Sequence, residues 1–340
     1  MSGYSIYADG EIIGDLSDME LAYYDGRLEE AINEAGRFEF AVNGANPQVK
    51  MVSPMLSVID LKQGDTTRWR GRITSATQNI YNVVSFVCEG VLAWLRDVLI
   101  APPVSFSQAS AQNFIASVLT KYNASCSPNH QIQVGEIDQD AKITLSVTND
   151  YLSAFDILAN LISQNGGYFT VSYTGTSSFI NYFAAPDTAG QEINFAENLL
   201  DITQVTDATK VITVLTANSR AGTYEATNED AVAKYGKIYA YQYFDDVSST
   251  ADFHQQADEY LNRMILGGQS ITVTAVDLSL LDADIAPFAV GNSARVKSVP
   301  HGIDISMVVS RKITDINNPA ASQITLGLPR ETLTAQLAKG

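Results

Sequence analysis

The chain changes character between Gln191 and Thr203. Ahead of this stretch, apolar residues recur at helical spacing and then alternate in an aromatic hairpin pattern; after it, a strand-rich block ends in alternating apolar residues. The stretch therefore reads as the hinge of a multi-part β scaffold, and it carries no catalytic grouping. With 340 residues, 46% of them hydrophobic, the sequence has material for several cores, and ~100–200 residues per domain divides it into about two to four units.

Before Pro102 the pattern is mostly that of strands. Phe38, Phe40 and Val42 alternate with Glu39 and Ala41, Leu56 to Leu61 is largely apolar, and Ile80 to Val87 is rich in β-branched and aromatic residues. Turn formers separate these runs at Gly44 to Pro47 and at Gln63 to Asp65. An antiparallel barrel or curled sheet is expected. Pro102 and Pro103 break the pattern, because neither donates to a ladder and each pushes its predecessor toward extended geometry, so a domain boundary is placed there.

Phe114, Ile115, Val118, Leu119 and Tyr122 then form one helical stripe, with Ser107 or Ser110 available as a cap. A second helix buries Leu152, Phe155, Leu158, Leu161 and Ile162, is capped from Thr148, Asn149 or Asp150, and ends at Asn165 to Gly167. Tyr168 to Tyr173 and Phe179 to Phe183 read as a hairpin about Gly175. Beyond the hinge, Lys210 to Ala217 reads as a strand and Asn218 to Asp230 as an exposed loop. A third helix spans Thr250 to Leu266, with Ser249 and Asp252 as a capping box and Gly267 and Gly268 as its stop. Strands follow at Ile271 to Val276, Ser293 to Val299, Ile305 to Val309 and Ile324 to Leu328, which predict a second barrel.

The fold class is thus mainly β with α+β parts and several domains. Two antiparallel β-barrel-like units occupy 1–104 and 191–234 with 269–332, a small α+β unit 105–190, a peripheral helical segment 235–268, and a tail 333–340. The first and last blocks share a strand grammar, and comparing Arg70 to Thr74 with Arg311 to Thr314 makes them candidates for structural duplicates.

The 21 basic and 38 acidic residues leave a net charge of −17, which repels a phosphate backbone and disfavours sequence-specific DNA binding. The N-terminus has neither a basic start nor an apolar run of signal-peptide length, and Tyr151 to Ile162 is too short and too interrupted to span a bilayer, so a soluble protein is expected. Cys88 and Cys126 lie in unlike contexts and read as reduced thiols.

The ingredients of catalysis are scattered. His130, His254 and His301 have no zinc-type neighbour at helical spacing, and Cys126 with His130 makes half a metal site. Asp138 with Asp140, and Asp282 with Asp284, read as turn formers because the other oxygens and the glycine of a calcium loop are missing. Asp245 and Asp246 are adjacent, not placed across a cleft as glycoside hydrolysis needs. No nucleophile elbow, phosphate loop or dinucleotide fingerprint occurs. Neither a catalytic residue nor a cofactor or metal site is assigned. Tyr235, Tyr239, Tyr241, Tyr243 and Phe244 fit a strand face packed against a neighbour, with stacking on sugars or bases as the alternative.

A series of short motifs recurs in order from Gly36 to Gly327. They are Gly36 to Phe40 before Asn46 and Pro47; Arg70 to Ile73; Cys88 to Gly90; Ile193 to Phe195 with Glu197 to Leu200; Tyr235 to Ile238; Phe244 to Asp246; Ala275 to Leu278; Val290 to Asn292; and Asn318 and Pro319 leading to Ile324 to Gly327. In these words the chain resembles the hub module at the start of siphophage tail-associated endopeptidases and tail minor structural proteins, relatives of contractile-tail baseplate hubs. The resemblance implies a homotrimer in which two tube domains per chain make a pseudo-sixfold ring around the DNA channel. That ring would join a hexameric distal tail or tube protein to a threefold tip carrying a fibre, spike or lysin. It also implies a place in the virion tail tip after assembly in the host cytoplasm, with DNA only in transit and no membrane insertion. Related chains continue into a peptidase, a lysozyme-like domain or a fibre where this sequence ends at Gly340, so no cell-wall hydrolysis is assigned. The alternatives are a carbohydrate-binding tail adhesin using Tyr168 or Tyr173 and, behind it, a cell-wall hydrolase.

Overall fold

The computed structural model describes residues 3–138, 141–185, 191–206, 211–244, 249–266, 269–282 and 284–327. It is mainly β, with four α-helices among the described residues.

The N-terminal lobe contains β1 (Tyr4–Ala8), β2 (Glu11–Asp15), β3 (Tyr23–Ala31), β4 (Arg37–Asn43), β5 (Val58–Gln63), β6 (Thr66–Gln78) and β7 (Val83–Gly90). The alternation read at Phe38 to Val42 places Phe38 and Phe40 on one buried face, their rings stacked at 4.9 Å, and Trp69, Ile59, Leu61 and Phe86 complete the core. Gly64, at φ 58°, makes the tight turn between β5 and β6. The strand expected from Ile80 starts later. Asn79 accepts hydrogen bonds from the Tyr81 and Val83 amides through its Oδ1 and closes a turn, so Ile80, 93% exposed, and Tyr81 form the hairpin tip.

The middle unit contains β8 (Leu99–Ile100), β9 (Val104–Ser110), α1 (Ala111–Asn123), β10 (Ile132–Ile137), β11 (Lys142–Val147), β12 (Leu152–Ser153), α2 (Ala154–Asn165), β13 (Tyr168–Thr174) and β14 (Ser177–Phe183). The stripe Phe114, Ile115, Val118, Leu119 and Tyr122 is buried as its spacing requires, and Ser110 caps α1 by accepting from the Asn113 amide. The second helix differs from expectation at its start. Leu152 and Ser153 pair with Ile100 and Leu99, so the chain is still a strand there, and Ser153 is the cap. The core joining α1, α2, β13 and β14 also takes in Val91, Leu92, Trp94, Leu95, Val98 and Ile100, on the N-terminal side of the boundary expected at Pro102.

After β15 (Ile193–Asn194) and β16 (Leu199–Thr206) comes an inserted unit of β17 (Val214–Ser219), β18 (Gly222–Thr227), α3 (Glu229–Tyr235), β19 (Tyr239–Phe244) and α4 (Thr250–Leu266). Asn218 to Asp230 is not the loop expected: β18 pairs with β17, and Asn228 caps α3. Phe253, Ala257 and Leu261 of α4 pack on Leu215, Ala217 and Ala226, so this unit lies on both sides of the boundary expected at 235. The chain then returns to the second lobe with β20 (Gln269–Val276), β21 (Ser293–Ser298), β22 (Ile303–Asp315) and β23 (Ala321–Leu326).

Neither lobe closes into a barrel among the described residues. Their strands belong to one 13-stranded sheet whose main path runs β16-β20-β23-β22-β3-β4-β7-β6-β5-β1-β2. Along it, one five-strand route is used twice. In the first lobe β3 pairs β4, β4 pairs β7, β7 pairs the C-terminal half of β6, and the N-terminal half of β6 pairs β5. In the second, β16, β20, β23, β22 and β21 repeat that order.

The equivalence reaches single residues. The strands β6 and β22, each of 13 residues, shift register at matching places, between Ile73 and Ser75 and between Val309 and Arg311. Facing these shifts, the Met55 amide donates to the Ile73 carbonyl at 2.8 Å and the Gly291 amide to the Val309 carbonyl at 2.9 Å. Both donors are left-handed, at φ 67° and 95°. This register sets Arg311 level with Ser75, not with Arg70, so the duplicated strands are those compared in the sequence while the residue match is displaced.

Candidate assembly surface

The described titratable residues singled out in the sequence make packing and hydrogen-bond contacts. His130 is buried and stacks on Trp94 at 4.5 Å between ring centroids, and burial, then the nearby Arg72, hold its imidazole below the ordinary range. Cys126, whose thiol burial raises, contacts Asn123, and both Cys126 and Cys88 are free. His254 stacks on Tyr224 at 3.9 Å, and His301 Nδ1 lies 2.6 Å from the Ser298 hydroxyl. Asp282 accepts from the Asp284 amide in a turn. Asp140, Asp245, Asp246, Gly267, Gly268, Leu328 and the tail 333–340 lie outside the described residues. Among the described residues no group of three His, Cys, Asp or Glu side chains converges as a metal site, and no helix is long and apolar enough to cross a membrane.

Tyr168 and Tyr173 do not form an exposed platform. Tyr168 is buried, its hydroxyl donating to the Gly291 carbonyl at 2.5 Å, and Tyr173 lies under the Arg70 guanidinium. Exposed aromatics occur instead on β19, where Tyr239, Tyr241 and Tyr243 alternate with Ala240, Gln242 and Phe244, and Ala240 and Phe244 pack toward α4.

The hinge is a hydrogen-bonded node. Ile193 and Asn194 pair in parallel with Val296 and Lys297. Buried Asn198 accepts from the Asn194 amide at 2.9 Å and donates to the Glu192 carbonyl at 3.0 Å. Gln191 donates to Asp277 Oδ1 at 3.1 Å and accepts from the Leu278 amide at 2.9 Å. Asp277 also accepts from the Ser279 and Phe288 amides, so its buried carboxylate is satisfied and locks the segment ahead of β15 to the connection after β20.

The two lobes meet through an intact β-ladder. Arg27 to Ala31 of β3 pair antiparallel with Asp315 to Arg311 of β22, and the Ile32 amide donates to the Ser310 carbonyl at 3.0 Å. Charge supports the register: Arg311 pairs with Glu29, while Lys312 lies opposite Glu30. Beside the ladder, the Gly26 amide donates to Asn317 Oδ1 at 2.7 Å and the Ile316 amide to the Gly26 carbonyl at 2.8 Å. A Cβ on Gly26 would stand 2.2 Å from the Ile316 side chain, so glycine is required for this approach.

Two strand edges equivalent to those in this junction are open. Among the described residues, β16 pairs only with β20, and β6 from Thr74 onward has a strand partner on its β7 side only. Thr74 to Gln78 are all exposed, and Leu200 is 62% exposed. Unpaired strand edges present rows of amides and carbonyls to any strand that can reach them.

This architecture has close counterparts among solved structures. The tail protein of Neisseria meningitidis MC58 superposes with a TM-score of 0.71 at 12% identity, covering 96% of both chains. The 43 kDa tail protein of prophage MuSo2 from Shewanella oneidensis gives 0.72 at 12% identity over 96% of this chain and 98% of that one. The chain has the fold of phage tail proteins. A third such protein, gp18 of a Listeria monocytogenes EGD-e prophage, matches at 0.62 and 14% identity over 99% of each chain. No family model and no curated protein matches the sequence. The tail-protein fold thus persists where identity is too low for sequence matching, because pairing order and burial pattern tolerate wide substitution.

Proposed function

We propose that this chain is a structural hub of a phage or prophage-derived tail tip. Three copies form a ring that joins a hexameric tube or distal tail protein above to a threefold fibre, spike or lysin component below. The observation that carries the reading is the doubled strand path within one chain. A closed trimer matches a sixfold partner only by offering six similar surfaces, and two equivalent lobes per copy supply them. The tail-protein fold supports the same role. DNA passes through the ring without specific binding, and the net charge of −17 disfavours its adhesion to the wall. No catalytic step is assigned. Light scattering on the purified chain is expected to give three times the chain mass, with rings in projection micrographs; a strictly monomeric particle at assembly-level concentration overturns the proposal.

A further inference from the structure

We infer that the outer edge of β16 pairs antiparallel with the C-terminal half of β6 in a neighbouring copy, repeating between chains the junction that β3 and β22 make within one chain. This rests on the ring proposed above and names the backbone contact that builds it.

The first support is the equivalence of the strands. β22 has β21 along its N-terminal half, and beyond that half the same edge receives β3. β6 has β5 along its N-terminal half, and from Thr74 onward the corresponding edge is unpaired among the described residues. Burial records the difference, since Ser310 and Thr314 are buried at the filled edge while their counterparts Thr74 and Gln78 are exposed. The strand equivalent to β3 is β16, and its outer edge is the second open one.

The second support is reach. Within one copy, β20, β23, β22, β3, β4 and β7 all lie between β16 and β6 in an open sheet, and β16 does not pair with its own β6. A second copy can bring the edges together. Each copy then offers one edge of each kind, which makes the contact heterologous and lets a rotation close it into a ring without unpaired junctions.

The third support is side-chain chemistry. Carrying the β3–β22 register over places Gln204 opposite Gln78, Val205 opposite Thr77 and Thr203 opposite Asn79. All six are neutral, so two strongly acidic chains meet without like charges face to face. The intrachain junction, held in one molecule, uses Arg311 with Glu29 instead.

The test is a disulfide between chains. Opposed Cα atoms in antiparallel strands lie about 4.5–5.5 Å apart, within disulfide range. Full-length Gln78→Cys/Gln204→Cys is expected to give covalent trimers on a denaturing gel after mild oxidation, while each single variant stays at chain mass. Mixing the two single variants should give covalent dimers. Pairing Gln204→Cys with Ala76→Cys, out of register, should react at least tenfold more slowly. A particle that is trimeric by light scattering but gives no cross-link, or cross-links equally through Ala76→Cys, overturns the edge pairing and leaves the ring standing. A particle monomeric by scattering overturns both. Thr77→Cys/Val205→Cys reads the same register should the first pair fold poorly.

Discussion

Arg72 shows how single residues hold this scaffold together. Its guanidinium is buried, donates to Glu89 at 2.8 Å and to Asp97 Oδ1 at 3.0 Å, and makes a further short contact with Asp97. Because Asp97 precedes β8, the side chain ties the first lobe to the middle unit. Arg72→Met should cost about 2–3 kcal/mol, less than a fully buried pair because both carboxylates can rehydrate, and a lower urea midpoint at unchanged slope checks it. His130 makes a second prediction. Its folded-state pKa is depressed, so the unfolded chain binds the proton more readily, and the stability from neutral His130 is present above the ordinary imidazole value of about 6.5 and lost as pH falls through it. His130→Phe keeps a ring against Trp94 and removes the proton. Melting temperatures between about pH 5 and 8 should fall less steeply for that variant than for the parent, and equal slopes would refute the assignment. In the sequence His130 stood beside Cys126 as half a metal site; its stacking partner Trp94 is distant in the chain, and nothing local announces it. The hinge was more legible. Gln191 and Asn198 belong to the one stretch singled out in the sequence and Asp277 to a later motif, and all three are buried polar groups that hydrogen-bond within the second lobe.

At the level of elements, helix caps and paired strands compete for the same residues. The sequence allowed three caps for α2 just before Leu152, but β12 extends the chain one step further and passes the role to Ser153. Ser153 accepts from the Asp156 amide at 3.1 Å, and its hydroxyl donates to the Asp156 carboxylate at 2.7 Å. Ser153→Ala should therefore cost about 1 kcal/mol, whereas Asp150→Ala should leave the denaturation midpoint within error. Equal losses in the two variants would show that the cap is shared. The same competition explains the missed elements. β18 has polar residues on most positions and buries only Ala226 fully, so its strand character comes from pairing with β17 and not from alternation. The amphipathic helices α1 and α4, which bury a continuous stripe, were legible because their own spacing specifies the face.

Across the whole molecule, the two β blocks were legible as blocks, and their union in one open sheet was not. Pairing between β3 and β22 joins residues far apart in sequence, and a strand pattern specifies a buried face without naming the partner at its edge. The duplication makes a separate claim about the inserted unit. In the first lobe the equivalents of β16 and β20 are joined by a short connection from Ile32 to Gly36, whereas in the second lobe β17 to α4 intervene. Thr206 and Gln269 are nevertheless opposite each other in the β16–β20 ladder, so the chain leaves and re-enters the lobe at neighbouring points. The insert also has its own core, built on Leu215, Phe253 and Leu261, separate from the second lobe's core of Ile271, Val273, Val296 and Ile324. Replacing residues 207–268 with an Asn-Gly turn should therefore convert β16 and β20 into a direct hairpin and leave the rest folded. The shortened chain is expected to melt cooperatively, within about 5 °C of the parent, a shift worth about 3 kcal/mol in a molecule of this size. It should also keep the parent's number of copies, three times the shortened chain's own mass by light scattering, since the outer edge of β16 is retained. Loss of cooperative melting would show that the insert is a structural part of the second lobe, and a drop to the mass of one chain would show that the insert contributes to the subunit contact.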